Sequence, residues 1–569
     1  MRTFLYIALY IAAIFLFSWI IFGFDNIGMM QPLLPPLIAI GFSFITKNVI
    51  FSLFCGIYVG VISSIGFTGI GDFMSATGKG LLRLGDTYFV NAIADRDHAS
   101  ILTFTATAGG MIAVIARSGG LNGIVEKVSR FSRSAVSTQV LTNFMGILIF
   151  FDDYANLLIV GNTMRPLSDK YNISREKLSF IVDSTAAPIA SLMIISAWIG
   201  YELGVIGDSL KGLNMPTEAY ILFLNSIPYR FYAIILIIFI FLMAVMKRDF
   251  GPMLNAEQRA RSKRQPLRPG SIPLSSDAVT RLDVPESIPK RWYNAGIPIL
   301  TLVIVTIVGI YFSGFYAIAQ KSGFASAEAA SLRDILGKAN PFAVLIWGAL
   351  SSSIVAIGMV VVQRIISLGD ACKSWIDGVH SMVLAMIILV MAWSLSAVIK
   401  DLKTAEMVAS LTGNILKPEM LPVITFLLAC IISFSTGTSY GTMGILFPLI
   451  IPLFHKLTVA QGVPFESVEH ILNATVGAVL TGAIFGDHCS PISDTTILSS
   501  MCSAVDHLDH VKTQMVYALV VGAIAMTVGY LPAGFGINPY ICNIAGIILI
   551  AGILILLGKN PEKLRGDER

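Results

Sequence analysis

The sequence predicts an all-α polytopic membrane protein of roughly 11 to 14 crossings, arranged as two repeats with broken or re-entrant helices. Three observations carry this reading. Hydrophobic residues make up 55% of the 569 and charged residues only 13%, about half the roughly 25% of an ordinary soluble chain. The mean hydropathy is +0.77, so the chain could not cover its own core with polar surface. Apolar runs near the roughly 20 residues of a membrane span recur along its whole length. A soluble enzyme, a disordered scaffold and a nucleic-acid binder are excluded on these grounds. The net charge of +4 adds little, because in a membrane protein the placement of charge matters more than its sum.

Taken in order, the first apolar run, Thr3 to Phe22, lacks a small-residue cleavage signal and reads as a retained transmembrane helix within 1–32. A first membrane repeat covers 33–246, with the amphipathic segment Gly71–His98 at the interface or re-entering the bilayer. Lys247 to Arg291 interrupts the pattern with ten Lys/Arg against five Asp/Glu and much Pro and Ser. The positive-inside rule makes 247–292 a cytoplasmic basic linker, and its composition makes it flexible. A connecting helix and loop fill 293–338, a second membrane repeat covers 339–558, and 559–569 is a polar tail. The six cysteines (Cys55, Cys372, Cys430, Cys489, Cys502 and Cys542) lie far apart without a CxxC pair. They read as small buried hydrophobes rather than disulfides or metal ligands. No phosphate-cradling loop is present, which argues against an ATP-driven pump.

The halves share four markers in the same order. A proline-led apolar run opens each, at Pro35-Pro36 and at Pro341. A Gly-Asp pair follows, at Gly71-Asp72 and Gly369-Asp370. Phenylalanine then leads into a polar break, Phe151-Asp152-Asp153-Tyr154-Ala155-Asn156 and Phe434-Ser435-Thr436-Gly437-Thr438-Ser439-Tyr440. Last comes an aspartate shortly before Pro-Ile, Asp183 before Pro188 and Asp487 before Pro491. Paired, interrupted hydrophobic segments in corresponding halves point to a transporter's binding site.

The polar groups inside apolar runs carry the chemistry. Asp152, Asp153, Asp183, Asp487 and Asp494 all stand in otherwise hydrophobic sequence. Each would cost about 2.5–3.5 kcal/mol facing lipid at the bilayer centre, roughly 12–18 kcal/mol for the five. They must share a polar cavity, bind a cation or carry protons. Crowded carboxylates hold protons near neutral pH, and a small hard cation such as Na+ prefers the same oxygens. Competition between the two at a site that faces either side is antiport. Asn156 offers an amide, and Ser184, Thr185, Ser490, Ser493, Thr495 and Thr496 offer neutral oxygens. The stretch Ser435, Thr436, Gly437, Thr438, Ser439, Tyr440, Gly441, Thr442 favours an unwound helix whose carbonyls meet a cation or whose amides meet an anion. His488, beside Asp487, is a candidate proton relay. Asp506-His507-Leu508-Asp509-His510 looks like a metal cluster but reads better as a solvated helix start, and Asp95-Arg96-Asp97-His98 as a water-facing loop. Lys400-Asp401 reads as an interfacial ion pair.

GDHCSPISDTTILSS followed by DHLDHVKTQ, together with FFDDYANLLIVGNTMRPLSDKYNISREKLSFIVDSTAAP, resembles the NhaC-type Na+/H+ antiporter family from about residue 30 to 555. The resemblance implies an inner-membrane secondary antiporter, not an enzyme, with inverted-topology repeats meeting at a central ion site. It implies that Asp152, Asp153, Asn156, Asp183, Asp487 and Asp494 line that site, with Na+ (or Li+) and H+ as the transported ions. The expectation includes membrane lipid as surroundings, no cofactor, no metal beyond transported Na+ and no nucleic acid, and leaves a homodimer open. The family also includes exchangers of organic acids or amino acids, so a Na+- or H+-coupled organic-solute carrier of malate/lactate type is the alternative.

Overall fold

The computed structural model describes residues 31–562 apart from 47, 67–69, 151, 195, 274–287, 331–334, 336–337, 405–406, 408–415, 460–461 and 492. The expected helix at Thr3–Phe22, most of the polar tail and the middle of the linker lie outside the described residues. The protein is an all-α membrane protein, and among the described residues the only β pairing is an isolated bridge between Asp249 and Lys559.

The first half opens with α1 (Leu34–Thr46), α2 (Val49–Ile65) and α3 (Ile70–Arg83). It continues through α4 (Arg96–Arg117), α5 (Gly120–Ser129), α6 (Ala135–Leu148), α7 (Asp153–Lys170), α8 (Arg175–Ser184) and α9 (Ala187–Leu192). It closes with α10 (Ala197–Leu210), α11 (Ala219–Ser226) and α12 (Phe231–Met246), followed by α13 (Gly251–Lys263). The second half holds α14 (Tyr293–Ser322), α15 (Pro341–Val362), α16 (Leu368–Asp401), α17 (Leu421–Thr436) and α18 (Ser439–Leu457). It ends with α19 (Phe465–Cys489), α20 (Asp494–Ser503), α21 (His507–Ile524) and α22 (Pro539–Leu556).

Nine helices among the described residues are long and apolar enough to cross a membrane, or ten if α11 and α12, bent by 44° at Arg230, form one span. Three shorter apolar helices, at Gln31–Phe42, Ile50–Ile65 and Ala135–Leu148, accompany them. Other apolar stretches of the described residues break before reaching span length, and the expected first crossing at Thr3–Phe22 lies outside them. Burial sorts the spans into layers: α19 is 83% and α18 is 78% buried inside the protein, whereas α14 and α22 are only 28% buried. The inner helices carry Gly, Ser, Thr and Asp. The outer ones present Ile297, Leu300, Ile304 and Ile307 outward, as lipid-facing surfaces require.

Each half contains a helix, a break and a helix, followed by a second broken helix. The first pair of breaks separates α6 from α7 and α17 from α18; the second separates α8 from α9 and α19 from α20. The expected polar markers sit at these breaks. Gly437 ends α17 in the left-handed region at φ 66°, where a side chain would be strained. Thr438 then caps α18 by accepting from Gly441 N–H. Pro188 opens α9, where its missing N–H is no loss.

Three expectations are corrected. The start of the linker is a docked helix: Met253, Ala256, Glu257 and Ala260 of α13 are buried, and burial needs partners that composition does not reveal. Lys400 pairs with Asp208 at 4.0 Å rather than with Asp401, whose carboxylate accepts from Tyr88 Oη at 2.7 Å. His98 does not sit in a water-facing loop; it lies in α4, is 6% exposed and stacks on Trp393 with ring centres 3.8 Å apart.

Candidate functional site

The breaks bring polar groups from both halves to one cavity of about 60 Å³, bordered by Asp152, Asp153, Tyr154, Thr438, Ser439, Tyr440, Asp487 and Thr495. Trp198 of α10 and Ser381, Met382, Leu384 and Ile388 of α16 complete its wall. Among the described residues no Lys, Arg or His borders it. Asp152, Asp153 and Asp487 are each buried. The N-termini of α7, α18 and α20 all meet here, through Asp153, Ser439 and Thr495, and their positive ends offset the carboxylates.

Asp487 is the best-defined member. Ser439 Oγ donates to its Oδ2 at 2.8 Å and Ser493 Oγ to its Oδ1 at 2.5 Å. Thr495 Oγ1 lies 2.9 Å from Ser493 Oγ, and Thr496 Oγ1 donates to the Asp487 carbonyl at 3.2 Å. Ser490 is buried in the same turn, its N–H donating to that carbonyl at 3.2 Å. Asp494 begins α20, but its side chain lies outside the described residues. The Tyr440 carbonyl accepts from Tyr201 Oη, and its ring packs 5.0 Å from Trp198.

Other predicted site residues lie elsewhere. Asn156 is a structural clamp: its Nδ2 donates to the carbonyls of Gly146 at 2.7 Å, Ile149 at 3.2 Å and Thr185 at 2.9 Å. One amide thus ties together the loose ends of α6 and α8. Thr185 Oγ1 donates back to Ile181 O at 2.9 Å, and Ser435 and Thr436 hydroxyls likewise turn to carbonyls of their own helix. Of the Ser435–Tyr440 stretch, only Thr438, Ser439 and Tyr440 reach the cavity.

Asp183 does not border the cavity; it belongs to a second buried cluster. Gln514 Nε2 donates to its Oδ2 at 2.7 Å and His510 Nε2 stands 3.4 Å from the same oxygen. His488 points away from the carboxylate of its neighbour Asp487. Its Nε2 lies 2.9 Å from Ser184 Oγ and its Nδ1 2.9 Å from Tyr232 Oη. The segment Asp506–His510 is the expected helix start, with Asp506 capping Leu508 and Asp509 N–H groups, yet His510 is fully buried. Sequence reasoning took His510 for part of a solvated helix start and missed Gln514. The signal was a polar stripe at 507, 510, 514 and 517, one helical face entering an apolar run. No group of three His, Cys, Asp or Glu among the described residues could hold a metal ion.

A model of the Na+/H+ antiporter family matches residues 189–535. The chain is 31% identical over 534 residues to an uncharacterized protein of Haemophilus influenzae, covering 94% of this chain and 95% of that one. It is 37% identical over 125 residues to a malate-2H+/Na+-lactate antiporter of Bacillus subtilis, 21% of this chain and 24% of the relative. The Na+/H+ antiporter NhaC of Alkalihalophilus pseudofirmus is 32% identical over 99 residues, 17% of this chain and 19% of that one.

Proposed function

This chain belongs to the Na+/H+ antiporter family, and from that premise we propose that it exchanges Na+ for H+ across the cell membrane through alternating access of the Asp487 cavity. The observation that carries the reading is a carboxylate, 3% exposed, held by two neutral hydroxyls in a cavity that Asp152 and Asp153 also border. Oxygen ligands with surplus negative charge suit a small hard cation. At about 60 Å³ the cavity is far below the roughly 300–1,000 Å³ of organic-ligand pockets. The matching breaks in both halves support two inverted repeats that rock against each other around this point. The basic linker marks the cytoplasmic side.

A second reading is the exchange of a small carboxylate coupled to Na+ or H+. It is favoured by the three helix N-termini at the cavity, which can attract an anion, and by the malate/lactate relative. The two separate in liposomes loaded with a pH-sensitive dye. The cation exchanger responds to Na+ whatever anion accompanies it. Asp487→Asn abolishes both that response and the counterflow of radioactive sodium. A response that needs one organic salt establishes the second reading, and a wild-type response in Asp487→Asn removes Asp487 from the site.

A further inference from the structure

We propose that the Asp183–His510 pair is the proton-carrying site of the exchange, separate from the Asp487 cavity that takes the cation. The inference rests on the exchange reading above and says where its proton travels. His510 is fully buried and Asp183 is 2% exposed. Their contact at 3.4 Å joins α8 of one half to α21 of the other. His510 Nε2 also lies 3.1 Å from Ser499 Oγ, so this nitrogen faces acceptors and carries the hydrogen in the neutral ring. Its other nitrogen, Nδ1, is buried with no hydrogen-bond partner among the described residues. That lone pair can take up one proton. The imidazolium so formed beside the carboxylate makes the pair neutral, and loss of the proton returns it to a single negative charge. A buried pair that can change by one charge through the free Nδ1 of its own histidine is a carrier rather than a fixed ion pair.

Several charged or titratable groups near these helices have partners of their own, while His488 also stands close enough to act on Asp183 through space. Lys177, on α8, pairs with Asp249 at 2.7 Å, and Glu176 with Arg259 at 2.8 Å. Asp509 pairs with Arg268 at 2.8 Å, and Tyr517 donates to Asp249 at 2.9 Å. His488, on α19, is held by Ser184 and Tyr232. Access runs from the linker face of α21. His507 there is half-buried and lies 3.0 Å from Ser500 Oγ, beside the Ser499 that reaches His510.

The pair is also wired to the cation cavity without sharing it. Gln514 Nε2 donates both to Asp183 Oδ2 and to the His488 carbonyl. Thr496 Oγ1 contacts the carbonyls of His488 and Asp487. A change of charge on His510 alters its pull on Asp183, and through Gln514 it bears on the same unwound turn that shapes the Asp487 site. Coupling then passes through that turn instead of through competition at one carboxylate.

The test uses purified full-length protein in liposomes with two readouts: Na+-driven pH change, and counterflow of radioactive sodium, which moves no proton. In His510→Gln the pH change is lost while counterflow proceeds as in wild type. If His510→Gln does not insert, Asp183→Asn, of the same shape as the native side chain, carries the same two readouts. A wild-type pH response in either variant overturns the proposal, and so does equal loss of both readouts in a variant that inserts. Wild-type protein that shows neither activity overturns the exchange reading itself.

Discussion

Asn156 shows how a residue can be found for one reason and kept for another. Its position among carboxylates marked it as a ligand, and the structure uses its amide hydrogens to hold three main-chain carbonyls at two helix breaks. A buried acceptor left without its donor costs about 1–3 kcal/mol. Asn156→Ala is expected to lose about that much or more, read as a lower midpoint of thermal unfolding in detergent. Gly146→Ala should act on the same joint, since a methyl there meets Thr185 Oγ1; overpacking of this kind costs about 1–3 kcal/mol. Asp506 gives a pH-dependent counterpart. Partial burial raises its carboxyl, but the N–H groups of Ile272, Leu508 and Asp509 and the Arg268 guanidinium outweigh that and leave it below the usual aspartate range. A depressed folded value means that the cap stabilises at pH above the ordinary aspartate value and is lost only as pH falls through the lower, folded one. Asp506→Ala should therefore cost about 1 kcal/mol at neutral pH. The gap from wild type should close under strong acid, as unfolding midpoints against pH will show.

At the scale of elements, broken helices were legible because the breakers are local: Gly437, Pro188 and Pro491 act within a turn of where they stand. The docked helix α13 was not legible. Its basic, Ser- and Pro-rich surroundings look like linker when averaged, and its anchors come from segments far away in the chain. Asp249 takes both Lys177 contacts at 2.7 Å. Glu257 accepts from Ser174 N–H at 2.7 Å and Oγ at 2.8 Å, and Arg259 grips Glu176. These contacts fasten the linker to the end of α8, the helix that carries Asp183. Removing one partner of a buried pair costs about 3–5 kcal/mol, whereas replacing both with apolar groups is often nearly neutral. Lys177→Met should thus destabilise strongly, and Lys177→Met with Asp249→Leu should recover most of the loss. Thermal unfolding of the two variants decides it, and equal losses would mean that the pair does not act as a unit.

For the whole molecule, the sequence placed the carboxylates of both halves at one site, and the cavity does join Asp152 and Asp153 to Asp487. It put Asp183 there too, yet Asp183 does not border the cavity, because which face of a short helix meets which neighbour is a tertiary fact. Topology is similarly split: charge suggests which side holds the linker, but side-chain contacts fix what lies beside it. Arg291 Nη1 donates to Gln363 Oε1 at 2.8 Å, and Gln363 Nε2 donates to Asn294 Oδ1 at 2.7 Å. The end of α15 thus returns to the face where α14 began. The helix α16, which starts a few residues later, has 34 residues and is about 50 Å long. That exceeds a hydrocarbon core of roughly 30 Å, and the expectation is that its polar first turns, with Asp370, Lys373 and Asp377, stand outside the core on the linker face. Cys372 lies in those turns and is exposed, while Cys55 is half-buried and the other four cysteines are buried. A membrane-impermeant maleimide should therefore label the wild-type protein in inside-out vesicles and leave right-side-out vesicles unlabelled, with Cys372→Ser removing the signal. The reverse pattern would keep every contact described and turn the molecule over, placing the basic linker outside against the rule that assigned it.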